Sequence, residues 1–128
     1  MSMTQELLSI SEVAEATGLT AHTLRYYERA GLMLHAVDRA SSQHRRYSQS
    51  DLNWIVFLSR LRSTSMPIAR MLEYVELVRQ GDDTVEARRD LLMLHRISVA
   101  AQLETITQSL EAIDYKITTY ATMKAGRS

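Results

Sequence analysis

The chain carries one long heptad pattern, several short amphipathic ones, and a polar stretch with no period. Val99, Leu103, Ile106, Leu110, Ile113, Ile117 and Tyr120 follow one another at intervals of 4, 3, 4, 3, 4 and 3 residues. Such a seam marks a coiled coil and predicts one helix from about Thr84 to Tyr120, roughly 55 Å long at 1.5 Å per residue. A helix of that length overreaches a small domain and needs a partner. The simplest is a second copy of the chain, parallel or antiparallel; the alternative is that the seam packs on its own chain. Arg89 and Arg96 fall on the extrapolated seam, so pairing should weaken toward the helix start.

Upstream, Leu52, Ile55, Val56, Leu58 and Leu61 recur at helical spacing behind Ser48-Gln49-Ser50-Asp51, which fits a capping box. That helix should break near Ser63 to Ser65. Pro67 suits the first turn of the next helix, where its missing N–H costs nothing, and Met71, Leu72, Val75 and Val78 carry it to Gly81. Asp82, Asp83 and Thr84 then form a loop and cap. Near the N-terminus, Ser9-Ile10-Ser11-Glu12 fits another capping box; a short helix through Val13, Ala14 and Ala16 should stop at Gly18. Thr20 can cap a second short helix to about Arg29, closed by Gly31. From Leu34 to Tyr47 the residues LHAVDRASSQHRRY read as a two-stranded ribbon with a basic return strand.

Composition narrows the class. At 128 residues and 45% hydrophobic, the chain suits one domain plus an appendage, and one Pro with four Gly points to a mainly α fold. It has no run of about 18 apolar residues, and MSMTQELLSIS lacks the order of a signal peptide. A cytoplasmic protein with no membrane partner is expected. The absence of cysteine excludes disulfides, thiolate metal sites and thiol chemistry. His22, His35, His44 and His95 are scattered without ligand spacing, so neither a metal nor another cofactor is expected.

The formal net charge of zero conceals a segregation. Residues 1–20 hold three acids and no base; residues 21–70 hold eight Arg against three acids, a net +5; residues 71–128 hold seven bases and nine acids, a net −2. A basic middle between acidic ends suits a protein that meets phosphate with one face.

Two short helices separated by Gly-Leu-Thr have the form of a helix-turn-helix. Ala14 is the small residue where the helices cross, and Gly18 is free to take positive φ. Ile10, Val13, Leu19 and Leu24 sit where such a unit buries its apolar face. On the second helix Arg25, Tyr26 and Tyr27 stand in a row, which serves either interior packing or a ligand rich in negative charge.

The whole order is helix-turn-helix, Leu24-Arg25-Tyr26-Tyr27-Glu28, Gly31-Leu32, a ribbon ending Arg45-Arg46-Tyr47-Ser48, then Asp51-Leu52, Met66-Pro67 and the heptad helix. It resembles the MerR family of bacterial transcription regulators from Ile10 to Tyr120. The segments TAHTLRYYE, LRSTSMPI and RQGDDT are most similar to the short NmlR/AdhR-like branch, associated with aldehydes and related electrophiles. The resemblance implies a winged helix-turn-helix DNA-binding domain over residues 8–81, a coiled-coil dimerisation helix over 82–121 and a flexible tail over 122–128. It also implies a homodimer that binds double-stranded DNA at a pseudo-palindromic promoter site, distorts it, and works beside RNA polymerase.

Carried onto this chain, the resemblance sends the second helix into the major groove. Thr20, His22 and Thr23 would lie near its exposed N-terminal face, with Arg25 and Tyr26 on base edges or phosphates. Tyr27 stands between two readings, its ring in the core and its hydroxyl toward the DNA backbone. Arg45 and Arg46 alternate faces on the return strand, and the resemblance favours Arg45 as the wing contact, although Gln43-His44 replaces the family's glycine or aromatic residue ahead of them. Arg62, five residues before Pro67, matches a basic residue that clamps phosphate. Val99, Leu103, Ile106, Leu110, Ile113, Ile117 and Tyr120 would form the dimer seam. Arg60 occupies the position of the sensing cysteine of electrophile-responsive relatives, and a guanidinium cannot supply a thiolate. The resemblance therefore implies a regulator that has lost thiol sensing.

An enzyme would need a nucleophile with its base, paired carboxylates, or a phosphate-cradling glycine loop, and no such constellation is visible in the sequence. A coiled-coil interaction module that no longer binds DNA is the second rival; it predicts no salt-dependent retention on heparin or DNA. Arg25, Arg45 and Arg62 together favour the regulator. Within DNA binding, the alternative is a constitutive repressor without an effector-driven switch.

Overall fold

The computed structural model describes residues 7–34, 38–39 and 45–127, with only the backbone of Asp38, Arg39 and Arg45. His35 and His44 fall outside it. The capped helix starts expected from sequence are present. Helix α1 (Ile10–Thr17) begins at Ser9, whose Oγ accepts from the Glu12 N–H at 3.1 Å while the Glu12 carboxylate accepts from the Ser9 N–H at 3.0 Å. The bonds from the Ser9 backbone and side chain hold the Glu12 carboxyl below its ordinary pKa, as hydrogen bonding to a charged form does. Gly18 ends α1 at φ 74, in the left-handed region that a residue without Cβ enters cheaply, and its N–H reaches the Ala14 carbonyl at 2.9 Å.

Helix α2 (Ala21–Arg29) is capped by Thr20, whose Oγ1 accepts from the Thr23 N–H at 3.0 Å. Helix α3 (Gln49–Ser63) carries the second capping box, with Asp51 and Ser48 bonded reciprocally at 2.9 and 3.1 Å. The break expected at Ser63 to Ser65 is a tight turn in which Ser65 takes φ 73 and the Met66 N–H returns to the Leu61 carbonyl at 3.0 Å. Pro67 stands one place earlier than expected, at the N-cap of α4 (Ile68–Arg79) rather than inside its first turn. Asp82–Thr84 make a single 3-10 turn before α5 (Val85–Ala125), a helix of 41 residues.

The ribbon gains a strand that sequence did not indicate. Strand β3 (Arg45–Tyr47) pairs with β2 (Asp38–Arg39) on one side and with β1 (Leu8–Ser9) on the other, all antiparallel in the order β1-β3-β2. Two residues are too few to show an alternating pattern, so β1 was not legible beforehand. Its pairing of Ser9 with Arg46 sets the start of α1 against the base of the wing. Val13 from α1, Leu24 and Tyr27 from α2, Tyr47 from β3, and Ile55, Leu58, Met71 and Val75 from α3 and α4 form one buried core.

Two expected boundaries need correction. The chain separates into compact units of Met1–Arg89 and Asp90–Ser128, so the division falls inside α5 and not after Gly81. The reason lies in Arg88: its Nη2 donates to the Gly81 carbonyl at 2.8 Å and its Nε to Thr84 Oγ1 at 3.1 Å, which binds the first turn of α5 to the first unit. The segment expected to be a tail from residue 122 is helical as far as Ala125, because nothing in Ala121-Thr122-Met123-Lys124 breaks a helix before Gly126. No helix among the described residues is long and apolar enough to cross a membrane.

Candidate nucleic-acid interface

Helix α2 has two unlike faces. Leu24 and Tyr27 are buried, while His22, Arg25, Tyr26 and Arg29 are exposed at helical spacings of three, one and three. That spacing places the exposed four on a single side of the helix. Tyr26 leaves 39% of its surface exposed, which is high for a tyrosine standing beside a core. Thr20 is exposed at the cap, Thr23 is half-buried, and their hydroxyls bond at 3.0 Å. Arg29, exposed like Arg25, continues the same stripe one turn further on.

The ring of Tyr27 takes the core place that the sequence offered it, with only 3% of the residue exposed. Burial pushes its hydroxyl pKa upward; the nearby Arg62 charge opposes that shift, and Tyr26 adds slightly to it. Arg62 is exposed in the last turn of α3, with its charge within reach of the Tyr27 hydroxyl. Its Nη1 also donates to the Met66 carbonyl at 3.2 Å, which fixes the guanidinium over the α3–α4 turn.

Arg46 is half-buried on β3, next to the fully buried Tyr47, and its charge acts on Glu12. Alternation along a strand sends Arg46 and Tyr47 to opposite faces. The Arg45 backbone lies in β3 opposite Arg39, but its side chain falls outside the described residues, as do Gln43 and His44. The structure thus sets His22, Arg25, Tyr26 and Arg29 on one side of α2, with Thr20 and Thr23 at its start, and Tyr27 on the buried side within reach of the Arg62 charge. The seam residues of α5 belong to the second unit: Val99 is half-buried, and Leu103 through Tyr120 are each 56–64% exposed.

Two residues that sequence reasoning passed over hold the segment joining α2 to the wing. Trp54 Nε1 donates to the Leu32 carbonyl at 2.8 Å, and Arg79 donates to the carbonyls of Gly31, Met33 and Leu34. Their partners lie 22 and 45 to 48 residues away, beyond any local sequence signal. The Trp54 ring stacks on Tyr74 at 5.8 Å and 11°, joining α3 to α4.

Comparison with known proteins agrees with this geometry. Residues 8–76 match the model of the MerR HTH family regulatory protein. The HTH-type transcriptional regulator AdhR of Bacillus subtilis is 45% identical over 85 residues, an alignment that covers 66% of this chain and 60% of that protein. An uncharacterized HTH-type transcriptional regulator of Haemophilus influenzae is 32% identical over 115 residues, covering 90% of this chain and 84% of its own. Among solved structures, HiNmlR, described as a MerR family regulator lacking the sensor domain and bound to promoter DNA, superposes with a TM-score of 0.80. It is 32% identical and covers 94% of each chain. A capped helix-turn-helix with its basic stripe outward, a short wing and a long C-terminal helix together with these matches place the chain in the MerR family of DNA-binding transcriptional regulators.

Proposed function

We propose that the protein binds a pseudo-palindromic promoter site as a homodimer, distorts the DNA between the half-sites, and so controls transcription by RNA polymerase, acting in the cytoplasm by binding and without catalysis. The observation that carries this reading is the outward stripe of His22, Arg25, Tyr26 and Arg29 on a helix whose other face is locked by Leu24 and Tyr27. A rigidly seated helix with polar and cationic groups on one side is what major-groove reading requires. Arg62 and the wing arginines supply phosphate contacts that set register without reading sequence. The net +5 of residues 21–70 supports the same face. The second copy is needed because six apolar seam residues of α5, from Leu103 to Tyr120, stand open to water on a single chain.

The test begins by selecting duplexes from a random-sequence pool and footprinting the protein on the winner. Two symmetric protected half-sites on one face of the duplex, with a central site of enhanced cleavage, are expected. A single unsymmetric half-site would sink the dimeric reading. Transcription in vitro from a promoter carrying the selected site then reports activation or repression. With no cysteine in the chain and Arg60 at the end of α3, thiol-based induction is closed. Modest formaldehyde or methylglyoxal should leave the transcript level unchanged, and rapid reversible induction would assign sensing to another residue.

A further inference from the structure

The connection between α2 and the wing is held by side chains from two other helices. After Ala30, Gly31 turns the chain at φ 79, and the Leu32 N–H returns to the Tyr27 carbonyl at 3.0 Å. Leu32 and Met33 are buried. The four carbonyls of 31–34 each need a donor, since backbone acceptors withdrawn from water are normally paired. All four are accounted for. Trp54 of α3 takes Leu32, and Arg79 at the end of α4 takes the other three: Nη2 donates to Gly31 at 3.1 Å and to Met33, and Nε donates to Leu34 at 3.2 Å.

We propose that Arg79 is a positioning residue for DNA recognition: by holding the carbonyls of Gly31, Met33 and Leu34 it fixes the geometry between the recognition helix and the wing. The inference rests on the reading that α2 and the wing both meet DNA. Two surfaces on one duplex must be presented together, and residues 31–34 are the first part of the chain that leads from α2 to β2. A guanidinium suits the task because it is a planar fork of five N–H donors, permanently charged, whereas an ammonium is a single point with a flexible stem. Hydrogen bonds from a charged donor are also the stronger kind. Glu76, with Oε2 at 3.9 Å from Nη1, steadies the remaining arm of the fork. The end of α4 that carries Arg79 is itself anchored on the following turn, where Arg88 holds the Gly81 carbonyl and Thr84.

Arg79 is thus assigned a role through backbone geometry and none through phosphate. Loss of the fork lowers the fraction of molecules with helix and wing correctly set, and the apparent Kd rises by the inverse of that fraction. A fall to about one tenth gives a tenfold weaker site.

The experiment compares Arg79→Lys, Arg79→Gln and Arg25→Ala in the full-length protein, on the duplex selected from the random pool, across a salt series. Trp54, the only tryptophan, reports the connection directly through its emission. Both Arg79 variants should bind about tenfold or more weakly with an unchanged salt slope, and their Trp54 emission should shift. Arg25→Ala should bind more weakly with relaxed base preference. Arg79→Lys keeps the charge and most of the stem, so it decides the matter even if Arg79→Gln fails to fold. Wild-type affinity for the Arg79 variants beside a weakened Arg25→Ala would overturn this inference alone. A salt slope lowered by about one unit in Arg79→Gln would make Arg79 a phosphate contact and overturn it as well. Full affinity of Arg25→Ala would overturn the α2 reading, and this inference with it.

Discussion

At the scale of single residues, Tyr27 and Arg25 stand two residues apart on opposite sides of α2 and have opposite assignments. Tyr27 is a core ring, so Tyr27→Ala should cost about 3 to 5 kcal/mol of stability, the usual range for emptying a buried aromatic site, measured by urea unfolding. Tyr27→Phe keeps the ring and removes the hydroxyl. It should bind the selected duplex within about threefold of wild type; a larger loss would give the hydroxyl a backbone contact. Its alkaline behaviour should also differ. Burial raises the Tyr27 pKa in the folded chain, while the unfolded chain releases the proton near the ordinary value of about 10. The folded state is then favoured fully below that pH and loses the advantage as pH rises above it. Tyr27→Phe should therefore show a flatter fall in stability on the alkaline side, read from thermal midpoints at successive pH. Arg25 is exposed on the recognition stripe, and its replacement by Ala should relax base preference at one position at a cost of about 1 to 3 kcal/mol if it reads a base edge. Arg29, one turn later on the same stripe, should affect affinity less, and an equal loss in both would widen the footprint of α2.

At the scale of elements, the helix starts carry their own instructions. Ser48 satisfies the Asp51 N–H while Asp51, itself buried, satisfies the Ser48 N–H, so Ser48→Ala should destabilise the first unit by about 1 kcal/mol in urea unfolding. The same change should leave the salt slope of DNA binding untouched. This locality explains why so much of the fold was readable from sequence. The capping boxes at Ser9 and Ser48, the glycine at φ 74, the break at Ser65 and the basic β3 all depend on residues within a turn of one another. What was hidden depends on distance. Strand β1 exists only because β3 offers it an edge. The Trp54 and Arg79 bonds reach to 31–34 from other helices, and neither residue sits in a motif that names its partner. Residues that face the solvent stripe of α2 were legible because helical period alone divides inside from outside.

At the scale of the whole molecule, the decisive quantity is the apolar surface of α5. Leu103, Ile106, Leu110, Ile113, Ile117 and Tyr120 keep more than half of their surface exposed on one chain, each three or four residues from the next. Fully burying a leucine or isoleucine side chain is worth about 1.5 to 3 kcal/mol, so five such positions and a tyrosine, repeated on two helices, can offset the entropic cost of association. A carboxylate placed in the middle of that seam would have to be desolvated without a counter-charge, which costs more than any single seam contact returns. Leu110→Asp combined with Ile113→Asp should therefore give a monomer at low micromolar concentration in light scattering, with the fold of the first unit retained in circular dichroism and Trp54 emission. Because the two half-sites of a palindrome lie about one helical turn apart and a monomer meets only one, the double variant should also lose the symmetric footprint while keeping weak, salt-sensitive binding to single half-sites. A dimer that persists in the double variant would move the interface off the seam; a monomer that still protects both half-sites would separate DNA recognition from pairing altogether.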